Sequence, residues 1–72
     1  MGRLNAMNLI EGIQTQCERV RNILPYYEEI GPAGTFGLAM LKAAIKEGEA
    51  AIASGDVVRM LAAYKDLEGC EA

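Results

Sequence analysis

The stretch FGLAMLKAAIKEGEAAIA-SGD-VVRMLAAYKDL, residues 36–67, decides the fold. Before the Ser54-Gly55-Asp56 break, Leu38, Leu41, Ile45, Gly48 and Ile52 recur at alternating steps of three and four. After it, Val57, Leu61, Tyr64 and Leu67 do nearly the same. That period places one apolar stripe on each of two helices. A break of so few residues turns the second helix back antiparallel to the first. Gly55 suits a left-handed C-cap, and Asp56 or Ser54 an N-cap. The helix before the break, to about residue 53, is also rich in small residues: Gly37, Ala39, Ala43, Ala44, Gly48, Ala50, Ala51 and Ala53. Small side chains let a neighbouring backbone come close. Lys42, Lys46, Glu47 and Glu49 mark its wet face.

Upstream, residues 7–29 predict a long helix. Ile10, Ile13, Cys17, Val20, Leu24 and Tyr27 follow steps of 3, 4, 3, 4, 3, the spacing of a coiled-coil seam. Pro25 removes one hydrogen bond and crowds the carbonyl of Arg21, so the helix kinks there. The alternative is a stop near Ile23 and a new short helix opened by Pro25. The class is all-α: a three-helix arrangement, with a long kinked N-terminal helix and a C-terminal antiparallel helical hairpin. Residues 1–6 read as a flexible leader, 7–69 as one helical domain and 70–72 as a tail.

Seventy-two residues make one domain with a small core, worth about 3–5 kcal/mol on its own. Such chains gain stability from metals, disulfides or self-association. There is no histidine, and Cys17 and Cys70 do not have the spacing of a zinc ligand pair. Metal and cofactor are therefore not expected. Both thiols are expected to be free, in a reducing cytoplasmic setting, because no apolar leader precedes them. No run reaches membrane-spanning length. The net charge of −3 opposes nucleic-acid binding, and the absence of Trp leaves few stacking platforms. Without histidine, neither cysteine has the usual base for nucleophilic catalysis, so an enzyme is not expected.

Two features suggest binding. The first is the seam Ile10–Tyr27. A helix of about 23 residues would run roughly 34 Å, longer than its partners can cover. The uncovered part predicts a homo-oligomer interface made by Ile10, Ile13, Cys17, Val20, Leu24 and Tyr27. The second is Gly31-x-x-Gly34-x-x-Gly37 directly before a helix. With Thr35, those exposed amides could hold a small anion such as a nucleotide. The same residues also serve as turn geometry, with Gly31 as C-cap and Thr35 as N-cap. No Lys-Ser or Lys-Thr pair follows, as a phosphate-binding loop requires.

The Ser-Gly-Asp turn resembles that inside a tetratricopeptide-type helix pair over about residues 45–67, but no such period repeats. Ile30-Gly31-Pro32-Ala33-Gly34-Thr35-Phe36-Gly37, with residues 50–64 (Ala50-Ala51-Ile52-Ala53-Ser54-Gly55-Asp56 through Tyr64), resembles small uncharacterised proteins encoded in phages and prophages. The resemblance covers most of the chain and implies no activity. It implies a short accessory protein that acts by binding a host component. The expected function is thus a non-enzymatic, self-associating protein that binds a protein partner. The alternative is a small-anion binder using residues 31–37.

Overall fold

A computed structural model describes residues 6–71. Four α-helices follow one another, with no strand among the described residues: α1 (Ala6–Arg21), α2 (Leu24–Ile30), α3 (Thr35–Ser54) and α4 (Val57–Glu68). A short 3-10 turn, Gly31–Gly34, joins α2 to α3. The all-α class is therefore correct. Residues 1–5 of the expected leader lie outside the described residues, as does Ala72, while Ala6 already opens α1.

The long first helix is interrupted. α-Helical bonding lapses at Asn22-Ile23, where the Ile23 amide reaches back three residues to Val20 instead of four. Ile23 keeps right-handed helical angles (φ −84°, ψ −27°), so the chain bends without leaving helical space. Pro25 then sits in the first turn of α2, where its missing N–H costs nothing. Both sequence readings meet here: the chain runs on as a bent helical element, as a kink requires, and Pro25 takes a place in the first turn after the bend.

The helical hairpin is built as its turn residues require. Gly55 adopts φ +72°, open to glycine at little cost. Asp56 is extended, and its carboxylate accepts from the amides of Val58 and Arg59 at 3.0 and 3.3 Å. Two orphan amides of α4 are thereby satisfied. Thr35 differs from expectation: it is the first residue of α3 and not its cap, because the 3-10 turn feeds directly into the helix. The Thr35 amide donates to the Pro32 carbonyl.

α1, α3 and α4 each pack on the other two, while α2 lies against α3. Their shared core holds Leu9, Ile13, Cys17, Val20 and Ile23, then Leu41, Ile45 and Ala51, then Met60, Ala63 and Leu67. Gly48 lets the three helices close. A Cβ there would stand 3.0–3.2 Å from Leu67, Cys17 and Ile13 together. Arg19 crosses to the end of α4, where its guanidinium donates to the Leu67 carbonyl at 2.8 Å. A cation at that terminus satisfies one of the carbonyls the helix leaves free.

Candidate interaction surface

The proposed seam is the first feature the structure corrects. Ile13 and Val20 are 0% exposed and Cys17 3%, all within a single chain. They pack against α3 and α4 and cannot face a second copy without opening the core. Ile10, Leu24 and Tyr27 are half-buried at the edge of that core. The buried stripe runs Leu9, Ile13, Cys17, Val20, Ile23, so it departs from the expected line at both ends. The physical reason is the break at Asn22-Ile23. α1 is 16 residues long against 20 for α3. A seam about 34 Å long does not exist, and two partners suffice to cover what does.

Of the second candidate, Gly31, Gly34, Thr35 and Gly37, only Gly34 and Gly37 lie against Tyr27. A Cβ at Gly37 would lie 2.4 Å from Tyr27 Cε2, and one at Gly34 2.4 Å from the Tyr27 carbonyl oxygen. The spacing of these two glycines thus has a packing cause: α2 lies directly on the start of α3. Gly31 has φ +78° and nothing near its missing side chain, so it serves the turn. Thr35 is exposed. The Tyr27 hydroxyl donates to the Glu71 carbonyl at 2.7 Å, which ties the chain end to α2.

Sequence reasoning reaches Tyr26 as an exposed aromatic, but not the apolar residues that stand open on α3 and α4. Phe36 is 76% exposed and Met40 57%, one turn apart on α3. Tyr26 and Ile30 are likewise exposed one turn apart on α2, and the neighbours Val57 and Val58 are exposed at the start of α4. Beside Met40 a groove of about 430 Å³ runs between α3 and the end of α4, lined by Ala43, Ala44, Glu47, Asp66 and Cys70. The available signal was the residue spacing on α3 opposite Leu41 and Ile45. Its large members were overlooked because the nearby Lys42, Lys46, Glu47 and Glu49 were read as a solvated face.

Charges frame this surface. Arg59 clasps Glu47 through two hydrogen bonds, at 2.7 and 2.9 Å. That guanidinium holds the Glu47 carboxyl below its usual range, and Glu47 in turn raises Arg59. Arg21 pairs with Glu49 across α1 and α3. Both pairs are exposed and contribute little to stability.

Burial raises both Cys17 and Cys70, which disfavours the reactive thiolate. The Cys17 thiol points at the Ile45 carbonyl, and both cysteines are free. Among the described residues no cluster of three His, Cys, Asp or Glu could hold a metal ion. Nor is any described helix long and apolar enough to cross a membrane. Comparison with family models, with curated proteins and with solved structures finds no match to this chain. Fold and surface together define a small all-α protein with exposed hydrophobic side chains.

Proposed function

We propose that this chain is a non-enzymatic helical interaction protein that self-associates and holds a protein partner, through the apolar surface of α2 and α3. The observation that carries this reading is the exposure of Tyr26, Ile30, Phe36 and Met40 on a molecule whose core is otherwise well sealed. Water contact with large apolar side chains is unfavourable by roughly 25 cal/mol per Å². Exposed apolar clusters of this kind mark places where another molecule docks. The phage-like resemblance supplies a context, a short accessory protein acting on a host component. The small-anion alternative has less support, because Tyr27 packs into the space that Gly34 and Gly37 leave.

The test is a comparison of the wild-type chain with a Phe36→Asp, Met40→Asp variant. Wild type should sediment above the monomer mass as its concentration is raised from micromolar to millimolar. The variant should sediment as a monomer with unchanged helical circular dichroism. It should also lose any protein captured by the wild type. A wild-type chain that remains monomeric and retains no partner would end the reading.

A further inference from the structure

The outward face of α3 carries a second seam. Phe36, Met40, Ala43, Glu47, Ala50 and Ser54 follow one another at steps of 4, 3, 4, 3, 4. This is the half-heptad rhythm that brings two helices together along their length. None of the six is fully buried in the single chain. One flank of the strip, Gly37, Ala44 and Ala51, faces the molecule's own interior. The other, Ala39, Lys46 and Ala53, is exposed, and its two alanines let a second helix approach closely. An interior flank and an open flank leave room for one more helix against α3.

We propose that this helix is α3 of a second copy, packed antiparallel across a two-fold axis. The assignment rests on the self-association in the reading above and specifies its face, partner and direction. Two features of the strip favour a copy turned end for end. The first is size. Large residues stand at the N-terminal end of the strip and small ones at the C-terminal end. Antiparallel pairing sets Phe36 against Ser54, Met40 against Ala50 and Ala43 against Glu47, so each bulky group meets a small one. A two-fold axis repeats every one of these contacts, as an isologous interface demands.

The second feature is charge. Parallel pairing would stack Glu47 on Glu47 and Phe36 on Phe36, with the two acids facing each other in the seam. Antiparallel pairing separates the acids and sets each beside an alanine. Lys46, exposed and outside the two ion pairs found among the described residues, then lies within one helical turn of Glu47 on the second copy. Glu47 is already held to one side by Arg59. Each acid is thus flanked by cations from both chains. The net charge of −3 per chain makes this local complementarity necessary, since two whole molecules repel. The 20 residues of α3 give a contact about 30 Å long. A contact made by a single helix pair is small, so the dimer should be weak and concentration-dependent.

The register is tested by cysteine cross-linking in the full chain with Cys70→Ser, leaving the buried Cys17 in place. Met40→Cys and Ala50→Cys are introduced singly and together, and each sample is oxidised mildly. The double variant should form a covalent dimer, and neither single variant should. Within one chain the two positions are ten residues apart on a rigid helix and cannot meet. A covalent dimer from Met40→Cys alone would overturn the antiparallel assignment. A wild-type dimer in sedimentation, with no cross-link in the folded double variant, would place self-association on another face and leave the broader reading standing. A monomer at millimolar concentration would remove the interface and its self-association together. Should the cysteine variants lose helicity, Phe36→Glu decides. It should be a folded monomer, and a folded dimer would refute the seam.

Discussion

At the scale of single residues, the contact between Gly37 and Tyr27 sets the junction of α2 and α3. The aromatic ring lies where a side chain at position 37 would begin. Gly37→Val should therefore lower stability by about 1–3 kcal/mol, as overpacking does. Because the ring is half-buried at the core edge, Tyr27→Ala should relieve most of that penalty. A double-mutant cycle by urea unfolding measures the coupling, and two purely additive losses would show that the two residues act separately. For the same reason the glycines of residues 31–37 carry two readings in the sequence. Glycine before a helix is required equally by an anion cradle and by a ring seated on the backbone. Only the position of Tyr27 in space separates them.

At the scale of elements, the α3–α4 turn was legible from sequence. Gly55 and Asp56 carry their roles in their chemistry, a tolerated positive φ and a short carboxylate. Asp56→Ala should cost about 1 kcal/mol, read as a lower urea midpoint with an unchanged slope. The first helix was legible only in part. Its apolar positions predicted a stripe, and Ile13, Cys17 and Val20 lie on it. Its length was not legible, because Pro25 is compatible with a kink inside a helix and with the first turn of a new one. Leu9 against Ile10, and Ile23 against Leu24, are neighbours of equal hydrophobicity. The helix rotates whichever suits α3 and α4 into the core, and no local rule chooses between them. The cap that Arg19 provides for α4 was also out of reach, since it joins positions far apart in the chain.

At the scale of the whole molecule, shape governs what is exposed. The radius of gyration is 13.0 Å, against roughly 11 Å for a compact chain of this length. A slender body has a small interior, and every core side chain bears a large part of its stability. Val20→Asp would place a carboxylate in the hydrophobic core, at a position with 0% exposure. A buried unpaired charge of that kind should cost more than the roughly 3–5 kcal/mol such a core supplies. The expected result is loss of helical circular dichroism at 25 °C. Lys46→Asp, on the exposed side of α3, should leave that signal intact while weakening self-association.

The sealed position of Cys17 gives the molecule an internal stopwatch. A thiol-specific reagent can reach its sulfur only in the moments when α1 parts from α3. The pace of that labelling, slow beside Cys70, counts how often the bundle breathes.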